Sequence, residues 1–149
     1  MLAKLFNSGQ RNAQRYIKQL SHGDAEQRLA LLAQMRQAQD SGALQPVPVP
    51  LQQFLNEQLA TEDNTEVKLA LVAWIDDLDA LASLLTSDLT VHAAAKRIVE
   101  LDPKNSDLIN DPRVINERIA SASPNQVNAL VDLAKTPEQL ATLAIRAHA

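Results

Sequence analysis

Asp63-Asn64-Thr65-Glu66-Val67-Lys68-Leu69-Ala70-Leu71-Val72 sets an acidic residue and a short link ahead of a basic residue and an Ala-rich apolar run. The phrase occurs earlier as Asp24-Ala25-Glu26-Gln27-Arg28-Leu29-Ala30-Leu31-Leu32 and later as Asp88-Leu89-Thr90-Val91-His92-Ala93-Ala94-Ala95-Lys96. A single helix pair cannot bury its apolar face alone, so recurring helical units predict a stacked array in which each unit borrows its neighbour's surface. The expected fold is therefore all-α, with antiparallel helix pairs stacked as a short HEAT/armadillo-like solenoid of right-handed superhelix. One domain is expected over residues 1–149. Ala30, Ala70 and Ala94 fall at matching places in the phrase, where close approach of helices would demand small side chains.

Composition agrees with helix. The chain has 149 residues, 46% of them apolar, which is enough for a core without a disulfide or metal staple. Aromatic residues make up only 3% against abundant Ala, Leu and Gln, and this stock favours helix over strand. Cysteine is absent, which excludes disulfides and thiolate ligands and is compatible with the cytoplasmic location expected here. The opening Met1-Leu-Ala-Lys-Leu-Phe6 is broken by Asn7-Ser-Gly9 too early to form a signal-peptide core. No run of 18 apolar residues occurs, so no membrane span is expected.

Apolar spacing and capping residues predict helices over 10–20, after Asp24 through Leu29, Leu32, Ala33 and Met35 until the pattern fades at Asp40-Ser41-Gly42, and over 51–60, 66 to about 75, about 77–86, about 90–101, 112–122, 124–135 and 137–148. Two starts are explicit. Ser123-Pro124-Asn125-Gln126 and Thr136-Pro137-Glu138-Gln139 each supply a hydroxyl N-cap, a proline at the first helical position and a Gln at the capping-box position. The phrase spacing is uneven, 40 residues from Arg28 to Lys68 but 24 from Lys68 to His92. The extra length holds Gly42-Ala43-Leu44-Gln45-Pro46-Val47-Pro48-Val49-Pro50, whose alternating prolines predict an extended polyproline II connector over 42–50. It lacks the flanking basic residues of a docking motif, so a structural connector is the stronger reading.

Over 61–102 the resemblance can be named: Asp63-x-x-Glu-Val-Lys-x-Ala, Ile75-Asp-Asp-Leu-Asp-Ala-Leu-Ala-Ser-Leu-Leu and Ser87-Asp-Leu-Thr-Val-His-Ala-Ala-Ala resemble HEAT-like repeats. They are similar to the repeats at the N-terminus of an uncharacterised bacterial family of cytoplasmic proteins that continue into long charged coiled coils. The resemblance implies macromolecular binding, carries over no catalytic residue, and would make this chain the first segment of a longer protein. The Arg usual in the repeat is Lys68 in one unit and His92 in the next, so the Asp–Arg ladder between repeats is expected to be weakened.

Charge is unevenly spread. Residues 1–36 carry six Lys/Arg and two Asp/Glu, whereas residues 37–95 carry one and nine. The acidic centre would repel phosphate, which makes nucleic-acid binding by the whole domain improbable. Candidate chemistry is thin. Asp76, Asp77 and Asp79, with Asp88 near, could attract a hard cation, but the central Gly and terminal Glu of a calcium loop are absent, and the helix dipole already accounts for acids at a helix start. His22, His92 and His148 fit no metal-ligand spacing, and no phosphate loop, nucleophile elbow or dinucleotide fingerprint occurs. No catalytic residue, metal or cofactor is assigned, and Trp74 is expected in the core.

Two functions remain open. One is a non-catalytic protein-interaction scaffold whose acidic face, Glu66, Asp76, Asp77 and Asp79, meets a protein with a basic surface. The other is an accessory domain that binds an anionic partner, nucleic acid or a membrane surface, through Arg11, Arg15 and Lys18 on the basic first helix, with Lys4 nearby. A weak enzyme would rest on the acid cluster alone.

Overall fold

The computed structural model describes the backbone of residues 2–101 and 106–148, with side chains from residue 11 onward. Nine α-helices and no strand are found among the described residues. The chain divides into two compact units, Met1–Ala80 and Leu81–Ala149.

The first unit holds α1 (Leu2–His22), α2 (Ala25–Asp40), α3 (Val49–Thr61) and α4 (Thr65–Val72). α1 packs on α2 and α3, and α4 packs on α2 and α3. Ala13, Tyr16 and Leu20 form one buried stripe on α1, as their spacing predicts, and Leu51, Leu55 and Leu59 of α3 and Val67 and Leu71 of α4 are buried as well. Trp74 is buried, as expected, and its carbonyl accepts a 2.7 Å hydrogen bond from the Gln52 side chain.

α2 starts in a complete capping box: Asp24 accepts from the Gln27 N–H at 2.8 Å, and the Gln27 side chain accepts from the Asp24 N–H at 2.9 Å. It stops at Gly42, whose φ of 88° lies where a side chain is strained. There the Gly42 and Leu44 N–H groups bond the carbonyls of Gln39 and Ala38. The extended connector expected over 42–50 is corrected by these contacts. Residues 41–44 form a turn that buries Leu44, the Gln45–Pro46 peptide is cis, and Val49 and Pro50 already belong to the first turn of α3. Proline's fixed φ suits a first helical turn, and burial of Leu44 draws the chain back onto the core.

The second unit holds α5 (Leu78–Leu84), which begins at the end of the first, then α6 (Val91–Leu101), α7 (Pro112–Ala120), α8 (Val127–Val131) and α9 (Pro137–Ala147). α7 packs on α6 and α9, and α8 on α9. Ile115, Ile119, Ala122, Val127, Leu130 and Leu143 make a buried cluster with Leu133 and Ala134 against it. Thr136 caps α9, accepting from the Gln139 N–H at 3.1 Å. The Gln126 side chain accepts from the Ser123 N–H at 2.9 Å as expected, but the Gln126 N–H bonds the Ser123 carbonyl at 2.9 Å, the segment opens as a short 3-10 turn, Pro124–Gln126, and α8 ends at Val131, four residues before the expected 135. A second 3-10 turn, Asp107–Asn110, occupies what the sequence shows only as a polar turn. The expected helix end at Asp102-Pro103 lies outside the described residues.

The three phrases do not start their helices in the same register. Counting four residues from the N-cap, whose carbonyl receives the first helical bond, Asp24 leads to Arg28 and Asn64 to Lys68, but Thr90 leads to Ala94 rather than His92. The matched alanines consequently have different surroundings: Ala94 is 0% exposed, Ala70 is half-buried and Ala30 is exposed. The expectation that all three mark close helix contacts holds for Ala94 and is corrected for Ala30. Ala94→Leu should overpack the α6 core and destabilise the protein by about 1–3 kcal/mol, whereas Ala30→Leu should stay within about 0.5 kcal/mol. Urea titrations of the two variants compare them directly, and equal midpoints would show that the assigned register is wrong.

Candidate interaction surface

Glu62 closes the turn between α3 and α4, and its side chain is 1% exposed. Taking a carboxylate out of water demands partners. Arg28 donates from Nε and Nη2 to the two carboxylate oxygens at 3.0 and 2.7 Å, Gln58 donates at 3.3 Å, and the Asn64 N–H donates at 3.2 Å. Nη1 of the same Arg28 bonds the Gly23 carbonyl at 2.7 Å, so one guanidinium ties the start of α2 to the α3–α4 turn. Burial by itself would raise the Glu62 pKa, but the hydrogen bonds from Arg28, Asn64 and Gln58, with the Arg28 charge, outweigh it and hold the carboxyl below the ordinary glutamate value. No spacing in the phrase points to Glu62 as the acceptor of Arg28.

The second unit has a smaller counterpart. Asp111 caps α7 and grips Arg113 through both oxygens, at 2.9 and 2.7 Å, while Arg113 Nη1 bonds the Leu85 carbonyl at 2.7 Å. The Arg113 hydrogen bonds lower the Asp111 pKa against the opposing effect of burial. His92 is exposed, and its Nδ1 lies 3.1 Å from the carboxylate of the buried Glu117.

The predicted acidic residues are all exposed, yet they are engaged differently. Asp77 accepts from the N–H groups of Asp79 and Ala80 at 3.0 and 3.4 Å and so caps α5. Asp76 exchanges hydrogen bonds with Asn56, receiving the side-chain amide at 2.8 Å and donating its N–H at 3.3 Å. Glu66 and Asp79 carry their charge with no ion-pair partner among the described residues. Glu66 sits in the first turn of α4 and the three aspartates lie past its last, so about 9 Å of helix axis separates Glu66 from the residue where α4 ends.

Arg11, Arg15 and Lys18 stand at i, i+4 and i+7 of α1, all exposed, opposite its buried stripe. None has a carboxylate partner among the described residues, and the Arg15 guanidinium lies 5.5 Å from the Tyr16 ring centre. Lys4 of this basic patch lies outside the residues whose side chains are described. Among the described residues no group of three or more His, Asp or Glu is placed to hold a metal ion, and no helix is long and apolar enough to cross a membrane.

Comparison with known protein families, with curated proteins and with solved structures finds no match to this chain.

Removing Arg28 would leave a buried, uncompensated carboxylate, so Arg28→Met should destabilise the protein by about 3–5 kcal/mol in chemical denaturation. A carboxylate whose folded pKa is lowered stabilises the fold at pH above its unfolded value, and that contribution fades as the pH falls through the folded one. Stability should accordingly drop as the pH passes below the ordinary glutamate range. Glu62→Gln should flatten that acid limb, and an identical pH profile in the variant would rule out Glu62 as its source.

Proposed function

We propose that this chain is a non-catalytic protein-interaction module built of HEAT-like helix pairs, and that it meets a partner of basic surface through the acidic side of its first unit. The observation that carries this reading is that Glu66 and Asp79 are exposed with no ion-pair partner among the described residues, while the carboxylates with perturbed pKa values, Glu62 and Asp111, are each held by a neighbouring arginine. Perturbed carboxylates in a cleft are the usual mark of acid–base chemistry, and here both serve turns. Unpaired surface charge of one sign instead attracts an oppositely charged partner and speeds encounter. The packing of α1 on α2 and of α3 on α4 is consistent with helix pairs of the repeat type.

The opposite polarity belongs to α1, where Arg11, Arg15 and Lys18 share one exposed face. This favours a second reading, an anionic partner held by the first helix, and the two readings separate by which substitutions abolish binding.

Asp76 and Asp77 make hydrogen bonds that reversal would break, so Glu66→Lys with Asp79→Lys is the cleaner perturbation. Surface changes of this kind should leave thermal stability within about 0.5 kcal/mol of the parent. The expected outcome is loss of a salt-sensitive partner in affinity capture from the native host. Retention of every partner by that double variant, with loss in Arg11→Ala/Arg15→Ala/Lys18→Ala, would transfer the binding surface to α1.

A further inference from the structure

The second unit contains a cleft of about 460 Å³ bordered by α6, α7, α8 and the 3-10 turns at 107–110 and 124–126. Its lining is mixed: Ile98, Val114 and Leu130 lie buried beneath it, while the half-buried Val99 and Ile109 and the exposed Ala129 supply apolar surface. Its polar lining includes the Asn125 and Gln126 amides and the half-buried Arg118. Gln126 spends its carbonyl oxygen on the Ser123 N–H, which leaves its amide nitrogen as a donor.

Arg118 differs from the other arginines of this unit. Arg113 is held by Asp111 and the Leu85 carbonyl, Arg146 donates to the Ala122 carbonyl at 2.8 Å, and Arg97 reaches Glu100. Arg118 has no hydrogen-bond or ion-pair partner among the described residues. Its place in the last turn of α7 suits a cation, because the helix dipole is negative there, but that effect offers no acceptor for the guanidinium N–H groups. A guanidinium drawn partly out of water favours a bidentate acceptor.

We propose that this cleft binds a small monocarboxylate with an apolar body, the carboxylate on Arg118 and the amide donors, the body against Val99, Ile109 and Ala129. A single cation beside neutral amides matches one negative charge, whereas phosphate is ordinarily met by several cations. The volume lies within the range of small-ligand pockets and has room for a chain of about eight carbons. This inference is independent of the acidic surface in the first unit.

Sodium octanoate is the probe, titrated into the full chain by calorimetry and followed by amide chemical shifts, with octan-1-ol as the neutral analogue. One-to-one binding is expected, with shifts confined to residues around the cleft. Octan-1-ol should bind the unaltered protein at least about tenfold more weakly, the loss of a charge-assisted hydrogen bond. Arg118→Gln should lower octanoate affinity to the octanol level and Arg118→Lys should restore part of it. Ala129→Phe, an exposed position on the lining, should fill the cleft and abolish binding. Equal binding of octanoate and octan-1-ol, an undiminished affinity in Arg118→Gln, uptake unaffected by Ala129→Phe, or no saturation at millimolar octanoate would each overturn the proposal. The alcohol comparison requires no variant and so stands even if a substituted protein fails to fold.

Discussion

The buried carboxylate of Glu62, held by Arg28, is the contact on which the first unit's turns depend. Glu62 lies 34 positions from Arg28 along the chain, and both of its oxygens are used, so the pair joins helices that local sequence alone would leave independent. A buried ion pair adds little net stability compared with apolar packing, because desolvation offsets most of the attraction. What it adds is register. The guanidinium must reach the Gly23 carbonyl and both Glu62 oxygens at once, which only one placement of α2 against the α3–α4 turn permits.

The same constraint recurs in the second unit with different residues. Helices of five to eleven residues leave many terminal N–H and C=O groups without an intrahelical partner. Arg113 and Arg146 answer it by donating to the carbonyls of Leu85 and Ala122, and Asp111, Ser123 and Thr136 answer it at the helix starts. A guanidinium is suited to this task, since its several fixed N–H groups serve a carboxylate and a carbonyl together.

This use of charge separates structural from interacting groups on the surface. Asp76 and Asp77 look like part of one acidic patch, but their side chains are bonded to Asn56 and to the start of α5. Glu66, Asp79 and the α1 cations belong instead to the charges that have no ion-pair partner among the described residues. The proposed recognition would run through polarity at the surface, with positive charge carried on α1 and negative charge at Glu66 and Asp79.

The sequence by itself determined the helical class, the order of the elements and most of their starts. Those features rest on local physics: apolar spacing at the helical period, Asp24 with Gln27, Thr136 with Gln139, and prolines placed where a missing N–H has no cost. The buried stripe of α1 and the burial of Trp74 follow from the same periodicity. Tertiary structure decided the rest. It turned residues 42–50 from an extended connector into a turn and a helix start, because Leu44 gains more from burial than an exposed proline strand offers. It shifted the third phrase by two residues, so that Ala94 rather than His92 took the place of Arg28 and Lys68. It chose Glu62 as the partner of Arg28 and left Arg118 at a cleft of mixed polar and apolar lining, and neither choice can be read from spacing. Pairings between residues far apart in the chain depend on how helices pack, and packing is a property of shapes meeting in space that no local pattern encodes.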